Sequence, residues 1–210
     1  MKLHRVFPLV SLILCLPSVK ADPAFNEDEA LSLLSITTEK RAKAIVELST
    51  RGTAKSVPVL IGLLSDLELH EYARNALELI PDPAAGEALL AALKSKLPPE
   101  QLTGVVITLG DRRIAAAVPA LVKLARDPKN PVGDAAISSL ALIASDEAAA
   151  ALATLVTTGA AETKLPAAHA ALRAGDRLAK GSAARIALAD AVLGADVPEH
   201  LKTAAAALKN

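Results

Sequence analysis

The stretch GVVITLGDRRIAAAVPALVKLA, residues 104–125, decides the fold. Its apolar residues recur at intervals of three and four in each half, which predicts two amphipathic helices. Gly110 and Asp111 interrupt the pattern between the two halves. Pro119 falls in the first turn of the second helix, where a missing backbone N–H costs little. The stretch therefore predicts a helix–turn–helix unit.

The same unit recurs along the chain with a period near thirty residues. The leucines chosen to mark the second helices are Leu60, Leu90, Leu121 and Leu152, which are separated by 30, 31 and 31 residues. So constant a period is typical of a solenoid of stacked helix pairs. The predicted units are 38–65, 67–96, 98–126, 130–158 and 161–194, and a lone helix follows at 197–208.

The predicted fold class is all-α: a right-handed alpha-alpha superhelix, or HEAT-like α-solenoid, of about five helix pairs. Hydrophobic residues make up 52% of the chain and aromatic residues only 1%, which suits closely packed helices rich in Ala and Leu. We expect an N-terminal capping helix within residues 22–36, opened by the capping box Asn26-x-x-Glu29, and the solenoid at 37–210. In the fifth unit Pro166 disturbs the period, and Gly175-Asp176 predicts a joint between helices.

Residues 1–21 have the organisation of a cleavable signal peptide. Lys2 and Arg5 precede an apolar run at 6–16, and Val19-Lys20-Ala21 offers a small-x-small cleavage pattern. An uncleaved membrane anchor is the alternative, but the apolar run is too short to span a bilayer comfortably. The prediction is a secreted or periplasmic protein with no stable membrane insertion after cleavage. Cleavage would also remove Cys15, the single cysteine, and with it any disulfide or thiolate chemistry.

Residues 70–85, HEYARNALELIPDPAA, and residues 104–113 with 117–121 resemble HEAT repeats of the PBS-lyase HEAT-like type. The resemblance is to repeats in exported proteins of planctomycetes and verrucomicrobia. In that group such arrays often precede another domain, for example a sugar-cleaving jelly roll or a cytochrome c. The resemblance implies an armadillo-like helical scaffold and implies no activity.

The sequence predicts no catalytic, cofactor-binding or metal site. His70, His169 and His200 are far apart in sequence, and none has a second ligand at helical spacing. The segment Gly175 to Gly181 matches no phosphate-binding loop pattern. The chain has 23 basic and 23 acidic residues, and loss of the three bases of the leader leaves a net charge of −3. That charge argues against nucleic-acid binding.

Four basic residues are candidates for contact with a protein partner: Arg112, Arg113, Lys123 and Arg126. They cluster at one joint and along the second helix of that unit, and second helices line the concave face of HEAT stacks. They suit an acidic peptide. The alternative is a solvated helix face whose cations favour the carboxyl end of the helix.

Three functions remain open from the sequence. The first is a non-catalytic exported HEAT-repeat scaffold that mediates protein–protein interaction. The second is the N-terminal arm, or a fragment, of a larger exported carbohydrate-active or cytochrome-containing protein, which is favoured by an array that stops in mid-repeat. The third is a HEAT-like pigment lyase, against which the export leader argues because that chemistry belongs in the cytoplasm.

Overall fold

The computed structural model describes residues 25–210, and this part of the chain is all helical, without a strand. The predicted signal peptide at 1–21 lies outside the described residues. Short 3-10 turns at Ala54–Ser56, Leu63–Ser65 and Ala115–Ala117 accompany the α-helices. The α-helices are α1 Glu27–Leu33, α2 Thr38–Arg51, α3 Val57–Gly62, α4 His70–Leu79, α5 Pro83–Ala92, α6 Pro99–Asp111, α7 Val118–Ala125, α8 Gly133–Ile143, α9 Asp146–Thr158, α10 Ala161–Arg177, α11 Ala183–Leu193 and α12 Glu199–Leu208.

The helices form two layers, as expected of an α-solenoid. The first helices α2, α4, α6, α8 and α10 pack in succession, and α12 continues this layer against α10 and α11. The second helices α3, α5, α7, α9 and α11 form the other layer. Contact within this second layer is uneven, because α9 and α11 pack closely whereas α5 and α7 barely touch. The predicted all-α solenoid is confirmed, and the loose place in its second layer is the structural basis of the candidate site.

One fully buried leucine marks each second helix. Leu90 is only partly covered, and the buried leucine of α5 is its neighbour Leu89. The choice of Leu90 as phase marker was therefore wrong by one residue. Two adjacent leucines fit a period near thirty equally well, and which of them is buried depends on how α5 packs against its neighbours. The buried leucines are Leu60, Leu89, Leu121, Leu152 and Leu188.

Short polar side chains begin several helices. Asn26 Oδ1 accepts hydrogen bonds from the N–H groups of Asp28 and Glu29, which confirms the predicted cap of α1. Asp82 Oδ1 accepts from Ala84 N–H at the start of α5. At the joint before α9 the cap is Ser145, whose Oγ accepts from the N–H of Ala148.

The predicted joint at Gly175-Asp176 is wrong, because α10 continues through both residues to Arg177. The helix also accommodates Pro166 in its interior. A proline removes one N–H donor and often bends a helix, but it does not require the helix to end. Gly175 serves packing here, since a Cβ atom at this position would lie 2.6 Å from Leu208 Cδ1 of α12. The glycine therefore admits a neighbouring helix, and the turn follows at residues 178–182.

Candidate binding groove

A groove lies between α5 and α7, where the second layer is loosely packed. Its volume is about 560 Å³. The floor is mainly aliphatic and the rim carries charged and amide groups. The lining residues are Leu90, Leu93, Lys94, Ala120, Lys123, Leu124, Asp127 and Asn130.

The aliphatic floor exists because α5 and α7 contain more leucine than the core requires. Leu89 and Leu121 are completely buried in the core, whereas Leu90, Leu93 and Leu124 are only partly buried. Because the two helices scarcely touch, no side chain from the neighbouring helix covers these three leucines fully. Half-covered apolar side chains in a concave site gain free energy when a ligand removes them from water.

Two lysines give one side of the rim a positive charge. Lys94 and Lys123 are exposed, and neither forms an ion pair with another residue in the range 25–210. Asp127 is the only acidic residue that lines the groove, and its Oδ1 accepts the backbone N–H of Lys129. The lining therefore carries a net charge of +1 and can accept a carboxylate beside an apolar side chain.

Of the four basic residues predicted to contact a partner, the structure places only Lys123 in the groove. Arg113 is exposed in the turn after α6, with a φ of 52°, and Arg126 is the exposed residue that follows α7. Their contact with a partner remains a prediction. Lys94 lines the same groove and was not among the predicted residues. The sequence signal that could have identified Lys94 is the surplus of leucine that precedes it.

Arg112 turns inward and has an intramolecular role. Its Nη1 donates to the carbonyl oxygens of Leu77, Glu78 and Ile80 at 2.9, 2.7 and 2.6 Å, and its Nη2 donates to Asp82 O at 3.2 Å. These carbonyls lie at the carboxyl end of α4 and in the turn that follows it. Burial lowers the pKa of Arg112, and the nearby Glu78 carboxylate opposes that shift. The guanidinium therefore stabilises the end of a helix inside the array.

The histidines that are distant in sequence are partly brought together by the fold. His169 of α10 and His200 of α12 have ring centres 6.5 Å apart. His70 is separate, with its Nδ1 3.6 Å from Glu71 Oε1 on the same helix. Within residues 25–210, no group of three or more His, Cys, Asp or Glu side chains is arranged to hold a metal ion. No helix in this range is long and apolar enough to cross a membrane.

Residues 86–173 match the family of HEAT repeats. This part of the chain is therefore a HEAT-repeat array. The resemblance expected from the sequence is thereby confirmed at the level of HEAT repeats, which typically mediate protein–protein interaction. A similar solved structure is the crystal structure of an engineered protein, with 23% sequence identity and a TM-score of 0.49. That similarity covers 88% of this chain and 96% of the engineered one. No curated protein matches the sequence.

Proposed function

We propose that this protein is a non-catalytic scaffold that binds a protein partner through the groove between α5 and α7. The observation that carries the proposal is the groove itself, whose aliphatic floor is flanked by Lys94, just after α5, and by Lys123 of α7. The HEAT-repeat match supports it, because stacked helix pairs offer extended surfaces to other chains. The signal peptide predicted at 1–21 supports a secreted or periplasmic location, so we expect the partner to lie outside the cytoplasm as well.

The groove suits a segment with one or two aliphatic side chains next to an acidic residue. The aliphatic side chains would cover Leu90, Leu93 and Leu124, and a carboxylate would pair with Lys94 or Lys123. The volume lies within the range of roughly 300–1,000 Å³ that is usual for ligand pockets. Affinity comes mainly from the buried aliphatic contact, since an exposed ion pair contributes only about 0–1 kcal/mol.

A peptide-display selection with the full chain as bait tests this proposal. The selected peptides are measured by fluorescence anisotropy against the wild type, Ala120→Arg, Lys123→Glu and Lys180→Glu. Ala120→Arg fills the groove with a bulky cation, and Lys123→Glu reverses the charge of its rim. Lys180→Glu makes the same charge change at an exposed site in the turn after α10 and serves as the matched control.

We expect selected peptides to share an aliphatic–acidic pattern and to lose at least tenfold in affinity with Ala120→Arg. Lys123→Glu should weaken them less, and 0.5 M salt should reduce that smaller effect because exposed charges are screened. Lys180→Glu should bind like the wild type. If the selected peptides bind Ala120→Arg with the same affinity as the wild type, the binding surface lies elsewhere and the proposal is overturned.

A further inference from the structure

The first-helix layer ends in two helices, α10 and α12, and two contacts join them to each other. Near their carboxyl ends, Leu208 of α12 packs into the space that Gly175 leaves on α10. Arg185 of α11 donates to Gly175 O at 3.0 Å and to Leu208 O at 2.7 Å, which binds both helix ends to one guanidinium. The carboxyl ends of α10 and α12 are therefore held together.

His200 lies in the first turn of α12, and His169 lies midway along α10. Gly175 of α10 contacts Leu208 of α12, and His169 of α10 contacts His200 of α12. The residue with the lower number in one helix therefore meets the residue with the lower number in the other, so the two helices run parallel. Both imidazoles are exposed, and their ring planes are inclined at 42°. They come from two helices that pack against each other, and helices position ligands more accurately than loops do.

We propose that His169 and His200 form a two-histidine site for a divalent transition metal ion, with Zn²⁺ as the reference ion. Two imidazoles on one Zn²⁺, each bonded at about 2.0–2.1 Å, have ring centres roughly 5 Å apart. The observed separation is 6.5 Å, and we expect rotation of the two exposed side chains to close it. Imidazole nitrogen suits Zn²⁺, Cu²⁺ and Ni²⁺, whereas Mg²⁺ and Ca²⁺ prefer oxygen ligands.

The remaining coordination positions of the ion belong to water. No third His, Cys, Asp or Glu joins the pair in a metal-binding group within residues 25–210. Two protein ligands hold an ion more weakly than the four of a structural zinc site. The bound ion links α12 to α10, so its effect is to stabilise the last helix of the array by mass action.

Isothermal titration of the untagged full chain with ZnCl₂ tests the site directly. The variants are His169→Ala, His200→Ala and, as the matched control, His70→Ala. We expect one Zn²⁺ to bind, at least tenfold weaker binding in His169→Ala and in His200→Ala, and wild-type affinity in His70→Ala. MgCl₂ should give no comparable heat.

Hydrogen exchange provides a second measurement that does not depend on the heat of binding. Zn²⁺ should slow amide exchange at residues 199–208 in the wild type and in His70→Ala, with no slowing in His169→Ala or His200→Ala. The proposal is overturned if Zn²⁺ binding is unchanged in His169→Ala and His200→Ala, or if His70→Ala weakens it equally. Absence of Zn²⁺ binding to the wild type would also overturn it.

Discussion

Arg112 and Arg185 both donate hydrogen bonds to carbonyl oxygens at the carboxyl end of a helix. Arg112 does so where the repeat is regular, and Arg185 does so where it is not. Arg112 follows α6 in the regular centre of the array and holds the end of α4 in the preceding unit. Arg185 lies in the first turn of α11 and holds two helices at once, α10 through Gly175 O and α12 through Leu208 O. The two arginines occupy different positions within their units.

The difference shows how the array compensates for a lost period. In the centre, successive first helices are already in register, and Gly110 of α6 lies directly against Ser139 of α8. After α9 the long helix α10 breaks the spacing, and no second helix follows α12 within the described residues. There, Arg185 is 8% exposed and supplies hydrogen bonds to two carbonyls at helix carboxyl ends, where intrahelical donors run out. Stability in this region therefore depends on one side chain more than in the centre.

The largest expected effect is that of Arg185→Met, which keeps most of the side-chain volume and removes the donors. The variant removes the donor to Leu208 O and one of the two donors to Gly175 O, which keeps the N–H of Leu178. Hydrogen bonds from a charged group contribute roughly 1.5–3 kcal/mol each, so we expect the free energy of unfolding to fall by about 3 kcal/mol. Urea denaturation measures the loss, and hydrogen exchange should localise it to residues 199–208.

Arg177→Met is the control for that substitution, because Arg177 is exposed at the end of α10. Its free energy of unfolding should stay within about 0.5 kcal/mol of the wild type. Equal losses in the two variants would mean that the comparison between the two regions is mistaken.

Glycine-to-alanine substitutions sharpen the same comparison. A Cβ atom at Gly110 would lie 2.8 Å from Ser139 Cα, which is backbone and cannot rotate away. A Cβ atom at Gly175 would meet the terminal methyl group of Leu208, which can. Overpacking costs roughly 1–3 kcal/mol, so we expect about 2 kcal/mol for Gly110→Ala. Gly175→Ala should cost less than about 1 kcal/mol, because alanine also favours the helix. Thermal and urea denaturation of both variants check this order.

Gly62→Ala is the control for these two, since no atom lies within 4 Å of the Cβ position at Gly62. It should stabilise the protein or leave it unchanged, because alanine favours a helix by roughly 0.8–1.0 kcal/mol. If Gly175→Ala is more destabilising than Gly110→Ala, the C-terminal helices are the less adaptable of the two regions.

Arg112→Met should have a smaller effect than Arg185→Met, although Arg112 makes four hydrogen bonds. Arg112 is partly exposed, so water can replace some of the lost donors at the end of α4. We expect a loss of about 1–2 kcal/mol in the free energy of unfolding, measured by urea denaturation. Arg113→Met, at the exposed neighbouring position, should be near neutral. A loss larger than that of Arg185→Met would reverse the comparison.

The smallest effect concerns pH and the first helix. Glu27 of α1 accepts hydrogen bonds from Thr53 N–H at 2.9 Å and from Ser56 Oγ. Burial raises the pKa of Glu27, but the hydrogen bonds from Ser56 and Thr53, together with the positive charge of Lys55, outweigh it and lower the pKa below 4.5. The contribution of Glu27 to stability is therefore complete above pH 4.5 and is lost as the pH falls through the lowered pKa of the folded state.

Urea denaturation of the wild type and Glu27→Gln across this pH range measures that contribution. The difference in free energy of unfolding between the two should shrink as the pH falls below 4.5. Glu47→Gln, at an exposed position on α2, should show no such trend. A difference between the wild type and Glu27→Gln that is constant with pH would exclude the ionised Glu27 as the group that holds α1.

Prediction from the sequence succeeded where the signal was local. Asn26 was recognised as a cap because its side chain bonds to amides two and three residues away. Pro119 was placed in the first turn of α7, where it lies. The phase of α5 was missed by one residue at Leu89, and the end of α10 was placed too early at Gly175, because both depend on which neighbouring helix packs there.

The candidate sites were harder to predict than the helices. Lys123 was selected from the sequence and lines the groove, but Lys94 was not selected. The sequence predicts that Arg112 contacts a partner, but its guanidinium donates to four carbonyl groups of the preceding unit and its turn. A basic residue at a joint has the same sequence signature whether its guanidinium points to solvent or to a helix end.

The sequence by itself determined that this protein is an array of helix pairs with a period near thirty residues. Spacings of three and four, caps and breakers act within one or two helical turns, so they can be recognised without the fold. The tertiary structure decided that α5 and α7 leave a groove, that Arg112 and Arg185 hold helix ends, and that His169 meets His200. These features join residues about 20 to 35 positions apart, and their distances depend on how each helix pair is rotated against the next. Periodicity fixes that a stack forms, whereas the packing of individual side chains fixes the rotation.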